Sequence, residues 1–231
     1  VCMWEGAPMT VVSNQVAAGP VGDNYGAKLE CPAAHPGLGI GLMPWRGGRE
    51  FKELMLDLRK LALQIALVRD RGSGEVRLDG AGQPRLYYPI AEHDRSSLLE
   101  GMEASIRVLA AAGAEEVGTT QAFRVLPPPA MAEARRKVIE ELVAEVRKIG
   151  FPLFKATVAS AHQMGTCRMG ATAEDSVVDP DGESWEVSGL FVADASTFPT
   201  SSGVNPMITT LAMAHFIAQQ MKRKLQPASR L

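Results

Sequence analysis

The chain has 231 residues, with 24 Lys plus Arg against 26 Asp plus Glu for a formal net charge of −2, 46% hydrophobic residues, 22 Gly and 15 Pro. This is the balance of an ordinary globular protein of one domain or two small ones. It contains no basic block, so it offers no footprint for nucleic acid, whose phosphates demand clustered Lys and Arg. Its longest apolar runs fall under about ten residues, short of the roughly 18 to 20 that a spanning helix needs, so these residues are not expected to cross a membrane.

Cys2, Cys31 and Cys167 are widely spaced and odd in number, and no CxxC occurs. That pattern suits free thiols in a reduced compartment better than a disulfide framework or a zinc site. The opening VCMWEGAPMTVV has no Met at its head and lacks the basic-then-apolar order of a signal peptide. It reads as an entry into mid-domain, as though cut from something longer.

From Pro8 to Pro32, Val, Thr, Tyr and Gly alternate around turn signals at Gly19-Pro20 and Gly22-Asp23-Asn24, which predicts two short strands joined by a loop. Residues 32 to 48 form a Gly/Pro loop. Phe51, Leu54, Met55, Leu58, Leu61 and Ala62 recur at three- and four-residue spacing, predicting an amphipathic helix over 49 to 63. Strand-like pieces follow at 64 to 70, 74 to 80 and 84 to 90, separated by turn pairs as in a small antiparallel sheet. A helix capped by Asp94 or Ser96 then runs to about Ala112, stopped by Gly113, with Leu98, Leu99, Met102, Ile106 and Leu109 on its apolar face.

A second amphipathic helix is predicted from about Ala130 to Ile149, with Glu133, Arg135, Arg136, Lys137, Glu140 and Glu141 forming a solvated face. The last third changes character. SAHQMGTCRMG (160 to 170) sets one His among small residues, and 179 to 196 reads as a turn, a strand pair and an apolar strand Leu190 to Ala193 that stops at Asp194. The run from 200 passes through a Gly/Ser loop and Asn205-Pro206 into a helix reaching about Leu225. Pro206 suits its first position, and Ser202 or Asn205 can cap it.

A strand stopping at an acid, then a small-residue loop and a helix N-terminus, is a geometry that can hold a sugar-phosphate or polar ring edge. Asp194 could bond ribityl or ribose hydroxyls there, or it could simply cap a compact turn. His162 is placed to act as general base on a hydroxyl, or to serve a structural role. His35, His93 and His215 read as structural. GLGIG at 37 to 41 is not a dinucleotide fingerprint, because Met43 and Pro44 follow where a third Gly and a helix are needed. DPDGE at 179 to 183 has too few oxygens for calcium, and Ser201-Ser202-Gly203 is no nucleophile elbow.

HQMGTCRMG (162 to 170), GLFVADAS (189 to 196) and SGVNPMITTLAMA (202 to 214), in this order, resemble the C-terminal signature of the glucose-methanol-choline (GMC) oxidoreductases. EGAPMT at 5 to 10, FKELM at 51 to 55, ALVRDRGSGEV at 66 to 76, LAAAGAEEVGT at 109 to 119 and GESWEVSGLFVADAS look most like the long-chain fatty alcohol oxidases of that family. The resemblance covers nearly the whole chain and implies an α/β fold. In it, 1 to 155 would be mainly the substrate-binding part, 156 to 225 would complete a Rossmann-like FAD domain and the active site, and 226 to 231 would be a tail.

It implies FAD as cofactor, and a fatty alcohol and O2 as small-molecule partners. His162 matches the family's proton acceptor, and Asn205 matches the second site residue that holds the substrate oxygen. Asp194 and Ala195 match the second FAD-binding segment, and Asn205, Pro206 and Met207 the backbone beside the isoalloxazine ring. Trp45, Phe51 and Leu54 would face a fatty chain or form plain core.

The N-terminal strand, GxGxxG and ribose-binding acid of the family do not occur in these residues, nor do the membrane-associating segments of plant members. Membrane association is therefore expected only through segments outside this sequence. The compartment stays unassigned, with an intracellular, membrane-associated setting as the resemblance's expectation. The alternatives are a family alcohol dehydrogenase using a quinone or dye acceptor, and a catalytically silent remnant or interaction subunit.

Overall fold

The continuous apolar run of Ile65–Val68 (β3) suits a strand covered on both faces. It pairs antiparallel with Ala27–Glu30 (β2), Ala27 opposite Val68 and Glu30 opposite Ile65, and β2 pairs in turn with Val12–Ser13 (β1). The computed structural model describes residues 11–19, 21–32, 37, 45, 47–152 and 156–226. Cys2, His35, the segments EGAPMT and most of GLGIG, and the tail beyond Gln226 lie outside the described residues.

Two compact units divide the chain, one from residues up to 69 together with 90–158, the other from 70–89 together with the residues from 159 on. In the first unit, Gly48–Leu56 (α1) tightens into a 3-10 turn at Leu58–Lys60, so the predicted 49 to 63 helix is shorter than its apolar spacing suggested. The chain turns there because the Asp57 amide bonds back to Glu53 and Met55. Trp45 packs on Phe51 with ring centroids 5.4 Å apart.

The helix Glu92–Ala111 (α2) packs across the β1-β2-β3 sheet at Gly101, where a Cβ would lie 2.7 Å from the Cβ atoms of both Ala27 and Ala66. Any side chain there would force helix and sheet apart. The predicted cap is not observed. Ala91 occupies the N-cap without a side-chain bond, and Asp94 lies inside the first turn with Glu92, where a carboxylate still complements the helix dipole.

The opposite face of α2 carries Ile106 and Ala110 into the core with Leu142, Val143 and Val146 of Ala132–Ile149 (α3). Each of Ile106, Leu142, Val143 and Val146 withdrawn from water contributes about 1.5 to 3 kcal/mol. The hairpin Glu116–Gly118 (β6) and Phe123–Val125 (β7) closes this core through Val117. No strand was expected there, since three-residue strands carry almost no period. Arg135 departs from the expected solvated face. It is buried, and its guanidinium donates to the carbonyls of Ala110 (2.6 Å), Ala114 (2.9 Å) and Pro127 (2.8 Å), satisfying the C-terminal end of α2. The outer faces are laced by Arg107 to Glu103 and Glu140, and by Arg147 to Glu103.

In the second unit, Glu75–Leu78 (β4) and Pro84–Tyr87 (β5) form a hairpin with Val76 opposite Leu86. Asp79 ties its turn, accepting from the amides of Ala81 and Gln83. The three pieces expected to form one sheet therefore separate, because β3 takes β2 as its partner and leaves β4 and β5 to each other. The second unit also contains Met207–Leu225 (α4), whose Ile217 is fully buried. Among the described residues all named strand pairs are antiparallel, so the class is mixed α/β built from small sheets. Cys31 and Cys167 are free thiols, and no described helix is long and apolar enough to cross a membrane.

Candidate active site

The last third of the chain is held together by backbone hydrogen bonds more than by regular elements. Asp179 Oδ1 accepts from the amides of Asp181 and Glu183, both at 2.9 Å, closing the DPDG turn that sequence spacing had already separated from a calcium loop. Val178 bridges Met169 on one side and Ser184 on the other. The expected strand over Leu190 to Ala193 is reduced to a bridge between Phe191 and Glu183, with the Val192 amide donating to Gly182 (3.0 Å). Those two contacts are too few for a continuous ladder, and Leu190 and Ala193 stay exposed.

Alternate amides of the His-bearing motif, Gly165, Cys167 and Met169, donate in turn to the carbonyls of Ala195 (3.2 Å), Ser196 (2.9 Å) and Thr197 (2.9 Å). A period of two on one side is extended-chain behaviour. These bonds bring the HQMGTCRMG and ADAS motifs side by side although some thirty residues separate them in sequence.

His162 lies three residues before the first of these bonds. It is half-buried, its amide donates to Ser160 Oγ (3.3 Å), and its imidazole has no hydrogen-bond or ion-pair partner among the described residues. A half-buried ring without a structural partner retains both nitrogens for an incoming group.

Asp194 is exposed and caps the 3-10 turn Ala195–Thr197 by accepting from the Ser196 amide (2.8 Å). Hydrogen bonding from Ser196, hydroxyl and amide together, holds its carboxyl below the usual carboxylate range. The capping role left open by the sequence is therefore realised, and the carboxylate stays ionised and open to solvent. Thr197, fully buried, donates its hydroxyl to the Asp194 carbonyl (2.8 Å) and fixes the same loop. Sequence reasoning passed over Thr197, and the signal was present: a Ser and a Thr two and three residues after an Asp form a local cap.

Pro206 sits at the N-cap of α4 rather than at its first helical position, and neither Ser202 nor Asn205 caps the helix. The Ser202 hydroxyl donates to the Val204 carbonyl (2.8 Å) instead. With a ring and no polar side chain at the N-cap, the first amides of a 19-residue helix have no intrahelical acceptor and no side-chain cap. Beside them Met207, Ile208 and Leu211 are 68%, 70% and 61% exposed, an apolar face at three- and four-residue spacing.

Amides next to an apolar face suit a planar ring with a carbonyl edge, and an ionised exposed carboxylate suits hydroxyls. The donor set therefore fits a flavin nucleotide. Asn205, exposed, directly precedes Pro206. His162 is not hydrogen-bonded to Asn205. No group of three or more His, Cys, Asp or Glu among the described residues could hold a metal ion.

The family model of the GMC oxidoreductases matches residues 70–214, and the chain belongs to that family. Among its relatives are two long-chain-alcohol oxidases of Arabidopsis thaliana. One is 40% identical over 216 residues, 93% of this chain and 29% of the relative, and the other 42% identical over 205 residues, 87% and 26%. The chain thus spans less than a third of the length of these relatives. A solved formate oxidase of Aspergillus oryzae, described for modification of its FAD, shares the fold at a TM-score of 0.53 and 18% identity, covering 86% of this chain and 32% of that one.

Proposed function

We propose that this chain supplies the catalytic base and part of the flavin cradle of an FAD-dependent oxidase that converts a primary, long-chain alcohol to its aldehyde and reduces O2 to hydrogen peroxide. The observation that carries this reading is the 40% and 42% identity, over most of the chain, to relatives named long-chain-alcohol oxidases. It is supported by the unpartnered imidazole of His162 and by the uncapped start of α4.

The His162 ring takes the hydroxyl proton at a ring nitrogen. Asn205 holds the substrate oxygen through its amide and would thereby orient the α-carbon toward a bound flavin. FAD, when bound, supplies the acceptor for the hydride and the route of the two electrons to O2. With FAD bound, the α4 amides at 207 to 209 would hold the polar edge of its ring, and Met207 would supply apolar surface beside it. Asp194, ionised, receives sugar-chain hydroxyls, while Ala195 keeps its loop against the His162 run through the Gly165 bond.

The test uses the polypeptide carrying this chain, purified with its flavin, and His162→Ala. A general base contributes about 10²- to 10⁴-fold. Anaerobic alcohol-dependent flavin bleaching should fall by that factor while the oxidised flavin spectrum and its stoichiometry stay unchanged. Bleaching at the full rate in His162→Ala refutes the base assignment. Reoxidation by a quinone without peroxide refutes the oxidase assignment.

A further inference from the structure

The three-residue 3-10 turn Ala195–Thr197 joins the two halves of the candidate site, with Asp194 at its start and the run that bears His162 bonded to its carbonyls. Its own backbone bonds are long. The Thr197 amide donates to the Asp194 carbonyl and the Phe198 amide to the Ala195 carbonyl, both at 3.2 Å. A 3-10 turn closes with poorer hydrogen-bond geometry than an α-helix, so one this short depends on other contacts to hold its shape. Two shorter bonds supply them, both 2.8 Å: the Ser196 amide to Asp194 Oδ1, and the Thr197 hydroxyl to the Asp194 carbonyl.

Thr197 is therefore held at two points. Its hydroxyl binds the residue that opens the turn, and its carbonyl accepts from the Met169 amide (2.9 Å), the last of the three bonds to the His162 run. The residue is fully buried, so water cannot stand in for a deleted hydroxyl. We propose that Thr197 is a positioning residue of the flavin site: its hydroxyl fixes the Asp194 loop against the His162 run, so that the groups for the cofactor's sugar chain and for the substrate proton share one frame. This rests on the flavin reading above and assigns a residue that acts through Asp194 rather than by contact with cofactor or substrate. Valine keeps the β-branched shape of threonine without the donor. It leaves the Asp194 carbonyl with the 3.2 Å amide bond alone, and the carbonyls that receive the Gly165, Cys167 and Met169 amides loosen with the turn. Serine keeps the donor and lacks only the methyl.

The experiment titrates FAD into the polypeptide carrying this chain after its flavin has been stripped, following the quenching of flavin fluorescence, with visible circular dichroism of the bound flavin as a second reading. Thr197→Val should weaken FAD binding about tenfold, the loss of one buried hydrogen bond, and alter the dichroism. Thr197→Ser should restore both. Gly189→Ala controls for stability alone, because its φ of +82° strains the same unit while nothing lies near its Cβ direction. It should lower the urea midpoint and leave FAD affinity unchanged. Unchanged affinity in Thr197→Val, or an equal loss in Gly189→Ala, overturns the inference and leaves the flavin reading standing. An unaltered polypeptide that takes up no FAD overturns the flavin reading itself, and this inference with it. If Thr197→Val does not fold, Thr197→Cys is compared with Thr197→Ser, since a thiol is a far weaker donor than a hydroxyl. Weaker FAD binding by the cysteine variant supports the inference, and equal binding overturns it.

Discussion

Gly182 is where the DPDG turn meets α4, and its replacement by alanine can be worked through from the geometry. Its φ is +85°, and an added Cβ would lie 2.7, 2.8 and 2.9 Å from Cγ1, Cγ2 and Cδ1 of Ile217, a fully buried side chain with nowhere to swing. The left-handed backbone costs an L-residue about 1 to 2 kcal/mol. Overpacking against a filled core adds about 1 to 3 kcal/mol. Gly182→Ala should therefore destabilise this unit by about 2 to 5 kcal/mol.

Gly189 has φ +82° and open space around its Cβ direction, so Gly189→Ala incurs the first cost alone. The comparison isolates the contact with Ile217 from the backbone strain. Urea unfolding followed through Trp185, which lies in the same unit, should place the Gly182→Ala midpoint below that of Gly189→Ala by the equivalent of about 1 to 3 kcal/mol. Ile217→Ala should also cost less in the Gly182→Ala background than alone, because the clash is then relieved. Equal stability of the two glycine variants, or an Ile217→Ala effect unchanged by Gly182→Ala, would refute the reasoning. The consequence reaches the candidate site because the same helix begins at Met207.

Arg135→Lys should cost about 2 to 4 kcal/mol in urea unfolding, since an ammonium cannot span three carbonyls that a planar guanidinium reaches together; a cost under about 0.5 kcal/mol would show that water replaces the lost bonds. Asp194 titrates below its ordinary range in the folded chain, so its stabilising contribution is present above the unfolded carboxylate range near 3.9 and is lost as the pH falls through the folded value. Acid unfolding of Asp194→Asn should accordingly be shallower below about pH 4 than that of the unaltered chain, read by circular dichroism, and identical curves would remove the cap from the account.

The long helices were legible because the apolar residues of α2, α3 and α4 repeat at helical spacing and end at Gly113, Gly150 and the tail. Their starts were less so. Asp94 or Ser96 was expected as the cap, but Ala91 takes that position and Asp94 is buried within the first turn, and Pro206 occupies the N-cap rather than the first helical position. The β6–β7 hairpin escaped notice because three residues do not make a period, and Arg135 because charge on an amphipathic helix ordinarily means solvent. At the site, His162 and Asp194 were candidates from local chemistry and Asn205, Pro206 and Met207 from the motif resemblance, while Thr197 was passed over although its spacing after Asp194 signals a local cap; its burial was visible only in the packed chain.

Local chemistry is written residue by residue: turn residues at 179 to 182, helical spacing from 207 to 225, and a histidine among glycines at 162 to 170 are readable without any partner in space. Which strand β3 would choose, and that alternate amides of 165 to 169 would bond to successive carbonyls of 195 to 197, were decided only in three dimensions. Backbone donors and acceptors are the same at every residue. Their pairing is selected by which apolar faces can be buried together, and that is a property of the assembled chain.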